Sequence, residues 1–355
     1  MKITTKPLKE SLTRLRGISS GRTTLPILHC VKLESDGANL SITASDLDSW
    51  QVERVESDEK LEPICVNFKH FESAIGGDHV TITKDGNHIV IKHGKSVMKL
   101  ATMSAEEFPK FPDAKYTVQG VNVSSLATAI NAVKFAPDTK HENITRAAIH
   151  FVSKAKELYI EGTNGRCAGA YCEAIIGPDF ECSIPISMAC DIASHLERKD
   201  AEFHLSERTA KVSHADGEYI CKLLDCPYPN TAGFLRTERH PLGETALKPI
   251  VETLEACLAV ANGDISANAQ MVFSETGLWL GYTSAETQIE NEFEGKFKDL
   301  KTGIHCQNLS RCLKAIKEEK AKFSYSDNAL FIESGNLLVC SAKMIAKTVE
   351  VKTWF

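Results

Sequence analysis

The sequence predicts an α+β chain made of three copies of one unit, and three recurrences carry that reading. Apolar triplets at i, i+4, i+7 occur at Leu8, Leu12 and Leu15, at Leu126, Ile130 and Val133, and at Leu247, Val251 and Leu254, with starts 118 and 121 residues apart. Such spacing lines one face of a helix. A second helix is opened in each copy by a residue that can accept hydrogen bonds from the free amides of a first turn: Asn67, Ser187 and Asn308. After each second helix runs a period-two alternation broken by a tight turn, in HVTITKDGNHIVIKHGKSVMKL, AEFHLSERTAKVSHADGEYICKL and AKFSYSDNALFIESGNLLVCSAKM. Connections this short make antiparallel meanders.

Asp85-Gly86 is the strongest hairpin signal in the first meander, and Ser-Asp-Asn stands in its place in the third. Between the helices lie further strands, clearest in VKLESDGANLSITASD, with Asp36-Gly37 at its turn. Each copy therefore reads as helix, strands, helix, strands. GKSVMKLATMSAEEFPKFP and GEYICKLLDCPYP each end a copy with an aromatic-proline stop. Boundaries fall near 119–122 and 236–245, giving domains 1–119, 120–242 and 243–355. LRTERHPLGE has the charged, Pro/Gly character of a connection between domains.

Composition narrows the function. The net charge of −6 excludes a protein coated in basic surface, but leaves room for a basic stripe on one face. The twelve cysteines are scattered from Cys30 to Cys340 with no CxxC pair and no Cys/His cluster at zinc spacing, so they read as reduced, small apolar residues, with no metal or other cofactor. No stretch approaches the roughly 20 apolar residues that cross a bilayer, and MKITTKPLKESLTRL lacks the apolar block of a signal peptide. A cytoplasmic protein with no membrane partner is expected. Enzyme motifs are missing: there is no glycine-rich phosphate loop, nucleophile elbow or HExxH. Glu106 and Glu107 are neighbours that a strand would send to opposite sides, which suits solvation better than acid–base chemistry.

TLPIL (Thr24 to Leu28), ITASDLD (Ile42 to Asp48) and GKSVMKLATMSAEEFPKF (Gly94 to Phe111) resemble the first domain of the bacterial sliding clamp, the beta subunit of DNA polymerase III. EGTNGRCAG (Glu161 to Gly169) resembles the Thr-Asp-Gly-His-Arg-Leu-Ala segment of that family's second domain. The resemblance runs the full length in order and is weakest in the third copy. It implies a non-catalytic, head-to-tail homodimeric ring that encircles duplex DNA, with helices lining the hole and sheets outside. Such a ring tethers DNA polymerase and is opened by a separate loader. A topological link needs only loose, salt-sensitive phosphate contacts, so an acidic exterior is compatible with it.

The DNA-facing candidates follow. On the helix from Leu309, Arg311 and Lys314 fall opposite the packed face of Leu309, Leu313 and Ile316, although Glu318 shares their side. Lys9 and Arg16 lie off the leucine face of the first helix, and Arg14 nearer its edge. The resemblance adds Arg22 and Arg146 as family arginines near DNA. It also implies a pocket for a short linear peptide of polymerase, loader and other partners, matched here by Ile149, Thr163, Gly165, Arg166, Cys167, Ala168, Pro229 and Phe234. Leu338, Val339 and Met344 are candidates for its wall.

The pocket departs from the family. Arg166, Cys167 and Ala168 stand where the family has His-Arg-Leu, and LLVCSAKMIAKTVEVKTWF, ending in Trp354 and Phe355, replaces a shorter Val-Met-Pro-Met-Arg-Leu type ending. A different recognition peptide is expected. Phe108 matches an interface residue of the family, with partners near Leu258 to Val260; the alternative is that Phe108 belongs to the core of its own domain. The altered pocket and ending also leave open a clamp-like scaffold or an accessory clamp of a mobile element.

Overall fold

The computed structural model describes every residue except 20, 22, 119–120, 122, 140–142, 176, 262–266, 285 and 345–355. The first copy holds β1 (Lys2–Thr4), α1 (Thr5–Ser19), β2 (Cys30–Asp36), β3 (Asn39–Ser45), β4 (Ser49–Glu56), β5 (Lys60–Asn67), α2 (Phe68–Ser73), β6 (His79–Asp85), β7 (His88–His93) and β8 (Ser96–Ser104). The second holds α3 (Val123–Val133), β9 (Ala148–Lys154), β10 (Glu157–Thr163), β11 (Cys167–Ala174), β12 (Phe180–Pro185), α4 (Ile186–Leu196), β13 (Glu202–Leu205), β14 (Thr209–His214) and β15 (Gly217–Lys222). After the short α5 (Ala232–Leu235), the third holds β16 (His240–Ala246), α6 (Lys248–Val260), β17 (Asn268–Ser274), β18 (Gly277–Thr283), β19 (Gln288–Phe293), β20 (Leu300–His305), α7 (Cys306–Lys314), β21 (Lys320–Tyr325), β22 (Ala329–Ser334) and β23 (Leu337–Met344). The order helix, four strands, helix, three strands thus recurs three times. The strand β16 already begins at His240 and pairs with β21, so the third copy starts ahead of residue 243.

The chain condenses into two compact units: residues 1–124 with 191–223, and residues 125–190 with 224–355. The first unit carries an eleven-stranded sheet in the order β1-β6-β7-β8-β5-β2-β3-β4-β15-β14-β13. The second carries a twelve-stranded sheet with the path β12-β9-β10-β11-β23-β20-β17-β18-β19, and β16, β21 and β22 joined at its side. Each sheet therefore contains a seam where strands of two copies pair: β4 with β15, and β11 with β23.

The two seams share one register. Gly217 and Leu337 each follow a two-residue turn, from His214 and Ser334, and they stand opposite Glu53 and Tyr171. Glu53 and Tyr171 are themselves matched, because β3 pairs with β4 as β10 pairs with β11, from Ser45↔Trp50 and Thr163↔Ala168 onward.

Several helix details follow from the sequence. Leu8, Leu12 and Leu15 are fully buried, as are Leu126, Ile130 and Val133. The third triplet is corrected: Leu247 is the residue before α6, Val251 is half-buried, and Ile250, Leu254 and Cys257 form the buried face. Cysteine acts there as an apolar residue, so the stripe begins later than the leucines suggest. Asn67 caps α2 by accepting from the His70 amide at 3.2 Å. In α7 the cap is His305, whose ring accepts from the Asn308 amide at 3.4 Å, while Asn308 itself lies within the helix. Ser187 likewise lies inside α4, which starts at Ile186. The first meander turns on Gly86-Asn87, with Asp85 already paired to His88 and Gly86 at φ 57°. Its left-handed backbone suits glycine.

Candidate functional site

The helical cations differ in how much charge they present. Lys9 on α1 is exposed. Arg14 is drawn to the carboxylate of Glu53, 2.6 Å away, and Glu53 is fully buried. The other Glu53 oxygen accepts from Gln51 at 2.9 Å and lies 3.7 Å from Arg198. A buried carboxylate needs such partners, so Arg14 sits at the edge of the packed face, joined to β4. Arg16 pairs with Glu72 at 2.7 Å. On α7, Arg311 is half-buried, and Lys314 lies 2.5 Å from Glu255 of α6. Arg146 precedes β9 and reaches the Asn164 carbonyl at 3.4 Å; its buried Nε has no hydrogen-bond partner among the described residues. Arg22 lies outside the described residues, as do Trp354 and Phe355.

The residues matched to a peptide pocket divide between two faces of one sheet. Directly paired residues of antiparallel strands share a face. Ile149, Gly162, Gly169 and Val339 form one such row, and a Cβ on Gly169 would stand 2.8 Å from Phe135 and 3.6 Å from Val133. Ile149, Cys167 and Val339 therefore face the side where α3 ends. Burial of Cys167 fits this, and the Cys312 thiol of α7 beside it lowers its pKa from the ordinary thiol value. Ala168 and Thr163 face the opposite side. There Ala168 packs with Leu235, Ala329, Phe331 and Cys340, and Phe234, Ala170 and Leu338 lie against them.

The structure thus brings together Thr163, Ala168, Phe234 and Leu338, and separates them from Ile149, Cys167 and Val339. Gly165 and Arg166 sit exposed in the turn between β10 and β11, which Asn164 holds by accepting from the amides of Arg166 and Cys167 at 2.9 and 2.8 Å. Pro229 is half-buried, and its carbonyl accepts from Thr231 at 2.8 Å. Met344 shares the Ala168 face by strand parity, at the far end of β23 where it pairs with Gly303, and is 39 % exposed. Arg236 and Arg239, which the sequence places in a linker, line a cavity on this face together with Tyr159. No local pattern marks them, because their neighbours come from strands far away in the chain.

Phe108 is 5 % exposed and packs with Cys30 and Cys65 in its own copy. Burial there pushes the Cys65 thiol up to about 12. Leu258 is half-buried and Val260 is 39 % exposed at the end of α6. Two strand edges are more open. Among the described residues, Ser96 to Leu100 of β8 pair with β7 alone, and β19 pairs with β18 alone. None of the β8 residues is buried, Val97 is 62 % exposed, and β19 is exposed at four of its six positions. These are the counterparts of the strands joined in the seams: β8 matches β15 and β23, and β19 matches β4 and β11.

A thrice-repeated α+β unit whose copies join strand to strand defines a protein of the DNA clamp class. A family model described as the DNA polymerase III beta subunit, N-terminal domain, matches residues 1–112. The beta sliding clamp of Escherichia coli K12 is 25 % identical over 343 residues, covering 92 % of this chain and 93 % of that protein. A beta sliding clamp sequence from Vibrio harveyi is 31 % identical over 136 residues, 36 % of this chain and 94 % of that sequence. Among solved structures, the Pseudomonas aeruginosa DNA polymerase III subunit beta superposes with a TM-score of 0.88 at 20 % identity, over 97 % of this chain and 99 % of that one. The beta subunit from Streptococcus pyogenes gives 0.90 at 15 % identity, over 97 % and 99 %. The chain belongs to the bacterial beta sliding clamp family, that of the DNA polymerase III beta subunit.

Proposed function

We propose that the chain is a replication processivity clamp: two copies close head to tail into a ring around duplex DNA and tether polymerase to it. The observation that carries this is the pair of open edges, β8 and β19, which occupy the places that are paired in both seams. Extending the shared register to a third seam sets Ser96 opposite Asn291 of the partner subunit, Val97 opposite Glu290 of the partner subunit, and Lys99 opposite Gln288 of the partner subunit. Unpaired edges of this kind invite another chain. The three copies then act as domains, 1–119, 120–242 and 243–355, with the last junction moved ahead of His240. Phe108, Leu258 and Val260 support this contact from the core and rim rather than through the strands.

In this reading Lys9 and Arg311 contribute positive charge to DNA, joined by Arg22 and Arg146, whereas Arg14 and Lys314 share theirs with Glu53 and Glu255. Thr163, Ala168, Phe234 and Leu338, with Gly165, Arg166, Pro229 and Met344 around them, take the partner peptide. The protein is non-catalytic and cytoplasmic, and needs a separate loader. Among the described residues no helix is long and apolar enough to cross a membrane. No observation favours the scaffold or mobile-element reading.

Trapping on linear DNA tests the topological link. Protein is allowed to thread onto a biotin-ended duplex at low salt, the ends are then blocked with streptavidin, and the salt is raised. Retention that disappears when a nuclease cuts the duplex is expected. Release at the same rate from blocked and open DNA would sink the proposal.

A further inference from the structure

The first two copies cover one face of their own sheet, the face opposite their helices, with the segment that follows the meander. The three meanders end in one register: Met103 stands opposite Cys65, the Leu224 amide donates to the Ser183 carbonyl at 2.9 Å, and Met344 stands opposite Gly303. Past Met103, Phe108 packs on Cys30 and Cys65, and the Pro109 carbonyl accepts from Trp50 Nε1 at 3.3 Å. Past Leu224, Tyr228 stacks on His150 with ring centroids 4.5 Å apart, and the Arg236 guanidinium lies 4.8 Å over the Tyr159 ring. One segment thus crosses from β5 and β2 to β4, the other from β9 to β10.

The same face of the third copy holds a cavity of about 730 Å³, lined by Val272 of β17, Trp279 of β18, Glu292 of β19 and Glu294. Val272, Trp279 and Glu292 form one cross-strand row, which Lys301 of β20 continues. The register that makes Asn291 the counterpart of Tyr171 also puts Trp279 in the place of Tyr159. The Trp279 ring lies across Gly281, where a Cβ would stand 2.1 Å from Trp279 Cη2. Both glutamates are exposed.

We propose that residues 345–355 of the same chain take this cavity, crossing β20, β17 and β18 as the other two segments cross their sheets, with Trp354 against the Trp279 ring and Lys352 beside Glu292 and Glu294. The chain continues for eleven residues past Met344. Because β23 runs antiparallel to β20, it heads at Met344 toward Leu300, the end of the sheet where the cavity lies. Among the described residues, Leu300 to Thr302 pair with β17 alone, so the edge that leads there is open. Residues 345–354 span up to about 33 Å when extended, against roughly 14 Å across three strand spacings. Trp354 stands ten residues past Met344, as Phe234 stands ten past Leu224, and Phe234 packs on its own sheet. Lys352 and Trp354 share one side of an extended segment. That side offers a cation and a ring to a cavity built from a ring and two carboxylates.

Acrylamide quenching of tryptophan fluorescence tests the proposal on two forms: the full chain with Trp354→Phe, which keeps an aromatic ring in the segment, and the chain ended after Met344. Both retain Trp50 and Trp279, and Trp50 is 4 % exposed, so the change reports Trp279. The quenching constant is expected to rise severalfold in the shortened chain. Glu292→Lys with Glu294→Lys should raise the full-length value to the same level and leave the shortened chain unchanged. This charge variant loses no residues, so it carries the test if the shortened chain fails to fold. Equal quenching of the full and shortened chains would overturn the proposal. A difference that disappears on dilution would also overturn it by assigning the cover to a second copy, and shielding that survives both lysines would do so by placing the segment elsewhere.

Discussion

The two seams share a backbone register and have opposite chemistry. Where β4 meets β15, the buried residues include Glu53 and Gln51, and Arg14 and Arg198 converge on the Glu53 carboxylate. His195 and His214 lie close by, 3.0 Å apart through Nδ1 and Nε2, and the Tyr219 ring stacks on His195. Where β11 meets β23, the contact is made by Ala168, Gly169, Leu338, Val339 and Cys340, with Phe331 behind them. Strand pairing therefore sets the geometry, and either a charge network or small apolar residues can fill it. The charged version specifies one partner closely, because a buried carboxylate left without its cations is costly. The apolar version leaves surface on one face, and the proposed peptide site lies there.

The sharpest way to break the comparison is at one matched position. A Cβ on Gly217 would stand 1.9 Å from the Val52 carbonyl, whereas its counterpart in the other seam is Leu337. Gly217→Ala should cost more than about 4 kcal/mol, and Leu337→Ala about 2–3 kcal/mol, measured as shifts in urea midpoint. Equal costs would mean that the first seam opens more readily than its geometry implies.

Next in size is the opposite pair of residues. Glu53→Gln takes the buried carboxylate away from Arg14, while Arg198 keeps Asp216 at 2.9 Å, and should cost about 3 kcal/mol. Tyr171→Phe in the second seam removes a hydroxyl that donates to Glu173 at 2.9 Å and accepts from Asn336 at 3.4 Å, a loss of about 1 kcal/mol. Chemical denaturation of the two variants side by side checks the ratio.

A smaller and conditional effect comes from acid. Burial, with His214, Arg198 and Arg14 adding to it, holds His195 down to about 3, and burial followed by Arg198 lowers His214 as well. Facing the pair are also Glu53 and Asp216, which pull His214 the other way, and Tyr219. A histidine depressed in the fold binds its proton more readily when unfolded. Its stabilisation is thus complete above the unfolded pKa near 6.5 and is lost progressively as pH falls from there toward about 3. Melting temperature should decline over that range, and His195→Gln should flatten the decline. An unchanged pH profile in that variant would remove the histidines from the account.

The smallest change is expected away from both seams. Ala155 and Lys156 turn β9 into β10 at φ 53° and 66°, a backbone suited to Asn-Gly. The double change Ala155→Asn with Lys156→Gly should raise stability by about 0.5–1 kcal/mol, read as a higher thermal midpoint.

The repeat itself was legible because helical and strand periods are local: the leucines of α1, the Asn67 cap and the Ser-Asp-Asn turn between β21 and β22 are all readable within a few residues. His305 in place of Asn308 as a cap, and Cys257 within the stripe of α6, were hidden by residue types that serve several roles. The mixed pocket has a plainer cause. Cys167 and Ala168 are neighbours on a strand, and the period of two sends them to opposite faces, so a family motif carried over whole puts both in one place. The seams and Arg236 were beyond a single sequence, since they depend on which distant strands pair.

The central claim is that the chain makes a third seam with a second copy of itself. Small-angle X-ray scattering combined with sedimentation tests it directly, on the unaltered chain and on Val97→Glu, which sets a carboxylate opposite Glu290 of the partner subunit at an exposed position that the fold does not need. The account predicts twice the 39.0 kDa chain mass and the scattering of a hollow ring for the unaltered protein, with dissociation into monomers for Val97→Glu. A compact monomer of the unaltered chain at micromolar concentration, or a dimer that Val97→Glu leaves intact, would contradict it.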